Sequence, residues 1–205
     1  GAAALRRAGL AVTIGLAKRE AEDMNRAYNH WMKTKRPYVI LKAGMTLDGQ
    51  IATASGDAKW ITSHPSRREV HQLRSQVDAI LVGIGTVLAD DPSLTARVGR
   101  QLKKLRTKQP LRIVVDSKLR VPLVAQILSS QDAGKTIVAT IHSAPDAGRR
   151  ALQKRGIEVL SVSRQGKRVS LRALMRELGA RGITSLLVEG GGEMNAALLK
   201  AELVQ

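Results

Sequence analysis

Residues 185–200 read SLLVEGGGEMNAALLK. Residues 185–189 are a short apolar run of the kind buried inside a sheet, closed by an acid, Glu189. Gly190, Gly191 and Gly192 then turn the chain, and from Glu193 to Lys200 alanine, leucine, methionine and lysine predict a helix. Strand, turn, helix is the unit from which α/β domains are built.

Outward from this stretch the alternation recurs. Apolar runs at 38–42, 79–82, 112–116, 136–141 and 157–162 predict strands, and 64–76, 145–155 and 170–181 predict helices. Ser63 can cap the first of these helices, with Pro65 in its opening turn. The expected fold is therefore α/β, a mostly parallel sheet flanked by helices. Upstream, 11–15 reads as one more short strand, and 18–33 as a single helix without glycine or proline. Pro37 biases Arg36 toward an extended conformation, so the basic connector at 33–37 marks a boundary. Residues 97–109 show no apolar period and read as a solvated loop.

Composition excludes more than it selects. With 43% hydrophobic and 25% charged residues among 205, the chain is globular rather than disordered. It holds no cysteine, which rules out disulfides, thiolate catalysis and cysteine-bound zinc, and fits a reducing compartment. The longest apolar stretch, 79–89, is about half of what spans a bilayer. Arg6 and Arg7 ahead of 10–17 do not make a signal peptide, because that run leads straight into a charged helix. The formal charge of +17 is concentrated in 97–120 and 149–181. Single-strand binders interleave such charge with stacking rings, and here Tyr28, Trp31, Tyr38 and Trp60 are the only ones. Phosphorylated small molecules use the same positive field.

Several segments can carry chemistry, each with a plainer alternative. The glycines at 190–192 suit a phosphate against a helix N-terminus, or a tight turn needing positive φ. Lys42 ends an apolar strand, where an ammonium group must be paired or face a cleft. Asp48 and Gly49 form a common turn pair, and Trp60 suits a core position. Asp90 and Asp91 before Pro92 either cap a helix or turn or raise one another's pKa toward that of a useful acid. His30, His64, His71 and His142 read as solvated or capping side chains, and no set of residues has metal-ligand spacing.

Together the motifs resemble one family. RPYVILKAGMTLDG at 36–49, KWIT at 59–62, LRSQVDAILVG at 73–83, GTVLADDPSLT at 85–95, RIVVDS at 112–117 and SLLVEGGG at 185–192 follow one another in its order. They are similar to the reductase domain of the bifunctional riboflavin-biosynthesis deaminase/reductase. Residues 1–35, with AGLAVTIG at 8–15, resemble the tail end of the preceding deaminase domain plus a linker, and 36–205 the reductase domain. The deaminase zinc motifs, His-x-Glu and Pro-Cys-x-x-Cys, are absent.

The resemblance implies a dihydrofolate-reductase-like fold. It also implies NADPH-dependent reduction of the ribose of 5-amino-6-(5-phosphoribosylamino)uracil to the ribitylamino product. Gly44, Trp60, Thr86, Asp90, Ser117, Gly191, Gly192, Glu193, Met194, Asn195, Ala196 and Ala197 would contact the cofactor. Arg74, Leu94, Arg97 and Glu189 would contact substrate, the arginines its phosphate, with Lys42 and Asp90 catalytic near the reacting carbon. Ser117, Lys118 and Arg120 lie just past a strand end, where a 2′-phosphate reader can sit and where solvated charge is an equally plain account. A cytoplasmic homodimer or higher homo-oligomer, with no specific nucleic acid and no membrane as partner, completes the expectation.

Two departures count against it. Ala58 stands where the family usually has serine, and the chain stops at Gln205 where the family continues for several strands. The C-terminal strands are thus expected to be missing from this chain. The competing readings are a catalytically silent nucleotide-binding relative or assembly module, and a basic nucleic-acid-binding protein.

Overall fold

The computed structural model describes residues 1–53, 61–97, 109–129 and 135–205. Six strands form the main sheet: β1 (Tyr38–Leu41), β2 (Ala79–Gly83), β3 (Leu111–Val115), β4 (Thr136–Ile141), β5 (Glu158–Val162) and β8 (Ser185–Val188). Their order is β1-β8-β2-β3-β4-β5, and every neighbouring pair is parallel. A small antiparallel hairpin, β6 (Arg164–Gln165) with β7 (Arg168–Val169), stands apart from it. The six strands read from 38 onward are each present within one residue at either end.

The two-residue period of the strands sends alternate side chains to opposite faces. Leu81, Ile113, Ile137, Leu186 and Val188 join Leu174, Met175 and Leu178 of α8 (Leu171–Ala180) and Leu198 of α9 (Gly192–Lys200). Ile80, Val82, Val114, Val138 and Leu187 pack on the other side with Val87 of α5 (Ile84–Asp90), Ile127 of α6 (Gln126–Ser129) and Leu152 of α7 (Asp146–Lys154). Both faces being covered, β2, β3, β4 and β8 are buried along nearly their whole length rather than alternating, whereas the edge strands β1 and β5 are buried only in part. Leu73 of α4 (His64–Gln76) also joins the second cluster, and Ser63 caps α4 as expected, accepting from the Ser66 N–H at 3.4 Å.

Topology sets the site. β8, the last strand in sequence, inserts between β1 and β2. Its far end therefore meets both neighbours: Lys42 N–H donates to the Val188 carbonyl at 3.0 Å, and Glu189 N–H to the Leu81 carbonyl at 3.0 Å. At the near end the Asp78 carboxylate accepts from the backbone N–H groups of Thr184 and Ser185 at 3.0 and 3.2 Å, fixing the register of β8.

Two upstream expectations are corrected. Residues 11–15 form no strand, because no neighbouring backbone pairs with them, and Ile14 and Leu16 are exposed. The helix expected over 18–33 is two, α2 (Lys18–Met24) and α3 (Arg26–Thr34). Asn25 breaks it: its side-chain amide donates to the Ala21 carbonyl at 2.8 Å and so competes with the helical ladder. A short α1 (Ala2–Arg7), α5, α6 and the hairpin were not read from the sequence. Residues 98–108, most of the stretch read as solvated loop, lie outside the described residues. No helix of the described residues is long and apolar enough to cross a membrane.

Gly179 docks the N-terminal segment on the sheet domain. The Trp31 indole N–H donates to its carbonyl at 2.8 Å, and a Cβ there would run into the Lys35 carbonyl. Gly179→Ala is expected to cost about 2 kcal/mol through this overlap. Denaturant unfolding with tryptophan emission checks it, and a red shift would report Trp31 released from its acceptor.

Candidate active site

A crevice of about 940 Å³ opens at the carboxyl ends of β8, β2 and β3. Gly83 to Thr86, Asp116 to Lys118, Gly191 to Met194, and Gln165 with Lys167 to Val169 line it. Parallel sheets gather ligands at this end. Gly191 N–H donates to Thr86 Oγ1 at 3.1 Å, joining the glycine bend to the start of α5.

The bend needs glycine for closeness, not for handedness. None of Gly190, Gly191 and Gly192 has positive φ, so the tight-turn explanation fails. A Cβ on Gly190 would fall 2.7 Å from Met194 Cβ, whereas one on Gly191 would meet nothing nearer than Thr86 Oγ1 at 3.7 Å. Gly191 therefore leaves room at the mouth of the crevice. It is also the N-cap of α9, with no side chain capping the helix, and the positive end of the helix faces the crevice. Beneath the bend, Asn195 is 9% exposed and its Oδ1 finds no partner among the described residues.

Beside the crevice lies a polar cluster. Arg74 Nε and Nη2 donate to Glu189 Oε1 and Oε2 at 2.6 and 2.8 Å, a two-pronged pair with side chains 13% and 8% exposed. Arg74 Nη1 donates to the Thr95 carbonyl at 3.1 Å. Thr95 follows Leu94, whose φ of 50° is unusual for leucine and whose side chain is buried in the second core cluster. His71 Nδ1 lies 3.1 Å from the Thr95 carbonyl and 3.3 Å from the Arg97 N–H. Burial, then the Arg74 and Arg97 guanidinium groups, hold the His71 imidazole below its ordinary pKa.

Of the residues assigned to cofactor, Thr86, Ser117, Gly191, Gly192, Glu193, Met194 and Ala197 line the crevice. Gly44, Asp90, Asn195 and Ala196 do not line it, and Trp60 lies outside the described residues, as does Ala58. Asp90 is exposed at the end of α5, one turn beyond Thr86 and on the same side of the helix. Asp91 takes the capping role read for this pair, its carboxylate accepting from the Gln126 N–H at 2.8 Å. Arg74, Leu94, Arg97 and Glu189 belong to the neighbouring cluster, with Lys42 at the end of the strand beside Glu189.

Sequence reasoning missed three parts. His71, read as solvated or capping, sits in the cluster, and its place three residues before Arg74 on α4 was the available signal. Gln109 and the hairpin cations Lys167 and Arg168 had no comparable signature. Ser117, assigned to cofactor, accepts the Val169 N–H at 3.0 Å and so also holds the hairpin against the crevice.

Comparison with known proteins agrees with this geometry. The pattern of the RibD C-terminal domain family matches residues 37–205. The riboflavin biosynthesis protein RibD of Actinobacillus pleuropneumoniae is 43% identical over all of this chain and 52% of its own length. The chain thus spans about half the length of the curated RibD relatives it matches. The 2,5-diamino-6-ribosylamino-4(3H)-pyrimidinone 5′-phosphate reductase of Methanothermobacter thermautotrophicus is 43% identical over 82% of this chain and 74% of its own length. Among solved structures, Acinetobacter baumannii RibD superposes with a TM-score of 0.84 at 32% identity, over 98% of this chain and 52% of that one. With its parallel sheet, its glycine bend and these relatives, the chain belongs to the RibD C-terminal domain family.

Proposed function

We propose that this chain is an NADPH-dependent reductase that converts the ribose of 5-amino-6-(5-phosphoribosylamino)uracil to the ribitylamino group in riboflavin biosynthesis. The observation that carries the reading is the convergence of the Gly191–Gly192 bend and Gly83–Thr86 on one crevice, beside the Arg74–Glu189 cluster. A dinucleotide fits these residues. The crevice is large enough, the α9 N-terminus, without a side-chain cap, offers backbone N–H groups to a pyrophosphate, and Asn195 Oδ1, without a partner among the described residues, lies under the bend.

NADPH, when bound, supplies the reducing equivalent for the sugar carbon. The chain's own part is positioning and charge. Lys42, just past the end of β1, is the candidate to hold a proton at Nζ for the sugar oxygen, with Asp90, exposed on α5 one turn beyond Thr86, as its catalytic partner. Arg74 fixes the Glu189 carboxylate in one orientation for the substrate. Because its fork is committed to Glu189, the more exposed Arg97 takes the larger share of the phosphate.

The reacting end of the site lies at β1 and β8, so the adenosine end extends past β3. Lys118, Arg120, Lys167, Arg168 and Arg172 line the crevice there. That cluster supports NADPH over NADH. Arg168 reaches Glu193 at 3.3 Å, but the pair is well exposed and easily exchanged for a phosphate. Lys118→Ala and Arg168→Ala are each expected to raise the KM for NADPH about tenfold, the size of one charge-assisted hydrogen bond, with the KM for NADH unchanged. Steady-state kinetics with both cofactors checks this.

The absence of cysteine supports a cytoplasmic setting. The exposed Leu10, Ile14, Leu16 and Met24 offer apolar surface for another subunit of a homo-oligomer or for a further domain.

Loss of NADPH absorbance in the presence of 5-amino-6-(5-phosphoribosylamino)uracil tests the reading. The name of the Methanothermobacter relative makes the undeaminated diaminopyrimidinone the second substrate to offer. Turnover of the uracil supports the assignment, and turnover of the diamino compound alone moves it one step earlier. Stabilisation by NADPH without turnover of either identifies a silent relative instead.

A further inference from the structure

We propose that His71 and Gln109 are positioning residues, which together hold residues 93–97 in a preset arrangement for the phosphorylated substrate. The proposal rests on the reductase reading, in which Leu94 and Arg97 contact that substrate.

Residues 93–97 belong to no helix or strand, and Leu94 is held at φ 50° with its side chain only 3% exposed. A backbone in that region persists only where its surroundings determine it. Here the determinants are side chains. Gln109 Oε1 accepts the Ala96 N–H at 3.0 Å, and Gln109 Nε2 donates to the Ala96 carbonyl at 2.9 Å. One amide thus satisfies both polar groups of a single residue, as a neighbouring strand would.

The next peptide is held from α4. The Thr95 carbonyl already accepts from Arg74 Nη1, while the Arg97 N–H lies 3.3 Å from His71 Nδ1. Nδ1 can donate to Thr95 or accept from Arg97, but not both. With Thr95 supplied by Arg74, the arrangement that gives both the Thr95 carbonyl and the Arg97 N–H a partner puts the His71 proton on Nε2 and leaves Nδ1 to accept. The charged groups facing His71 are Arg74 on its own helix, Arg97, and Glu189 at the end of β8. Two cations against one acid, with partial burial, favour the neutral ring that this bond needs.

The consequence is preorganisation. Arg97 and the Leu94 backbone are placed before substrate arrives, so binding does not have to order them. Neither His71 nor Gln109 need touch substrate.

The test uses His71→Ala, Gln109→Ala and His71→Asn in the full chain. Each alanine variant is expected to raise the KM for the phosphorylated substrate about tenfold. Its kcat and its NADPH dissociation constant should stay within about twofold of the parent. His71→Asn, whose amide oxygen can replace Nδ1 as acceptor, should recover most of the loss. An unchanged KM, an equal fall in NADPH binding, or no recovery by asparagine overturns the proposal. If the parent chain turns over neither pyrimidine, the reductase reading falls by itself. The same variants are then compared by titration with ribose 5-phosphate. Binding about tenfold weaker in the alanine variants sustains the proposal, and equal binding in parent and variants, or none in any, ends it.

Discussion

Arg74→Ala is expected to lower the stability of the folded chain by about 3 to 5 kcal/mol, the cost of leaving a buried charge without its partner. The Glu189 side chain is 8% exposed, so little water reaches it when the guanidinium is gone. The Thr95 carbonyl loses its Arg74 donor in the same step, loosening the strained turn at Leu94. Arg74→Lys should rescue little, because an ammonium group cannot reproduce the two-pronged contact at 2.6 and 2.8 Å. Replacing both partners, Arg74→Met with Glu189→Leu, should be far milder in stability while removing activity, since no charge is then stranded. Urea unfolding of the three variants decides the matter. A loss below about 1 kcal/mol for Arg74→Ala would mean that the pair behaves as an exposed one.

The second large effect is expected at the glycine bend. In Gly190→Ala the new methyl would fall 2.7 Å from Met194 Cβ and 2.9 Å from its Cγ, atoms fixed to the first turn of α9. The helix start must move, at a cost of about 1 to 3 kcal/mol, and NADPH affinity should fall at least about tenfold. Gly191→Ala is the control. Its methyl meets only Thr86 Oγ1, at 3.7 Å, so stability should hold while the space beside the crevice fills and NADPH affinity falls. Calorimetric titration with NADPH, beside thermal unfolding, separates the two. Unchanged affinity in both variants would remove the bend from the binding site.

The sheet was legible because its strands are short, largely apolar runs, the central ones buried on both faces, and α4 because Ser63 and Pro65 mark its start. α5 was not legible. Gly85, Thr86 and Val87 are poor helix formers, and the helix exists because Ile84 and Val87 pack into the second core cluster. The strand read at 11–15 failed for the complementary reason, an apolar run with no partner. In the site, the block order identified the two glycine segments that meet at the crevice. It gave no view of what holds them. His71, Gln109 and the Ser117 link to the hairpin depend on contacts between residues distant in sequence, which no local pattern encodes. The glycine bend shows the same limit: three glycines suggested positive φ, and the structure requires close packing against Met194 instead.

The most direct measurement is a crystal structure of the chain soaked with NADPH. The pyrophosphate is predicted to lie within hydrogen-bond reach of the Gly192 and Glu193 backbone N–H groups at the start of α9, with the adenosine toward Lys118 and Arg168. Electron density for the cofactor elsewhere, with the crevice between α5 and α9 holding only water, would contradict the account.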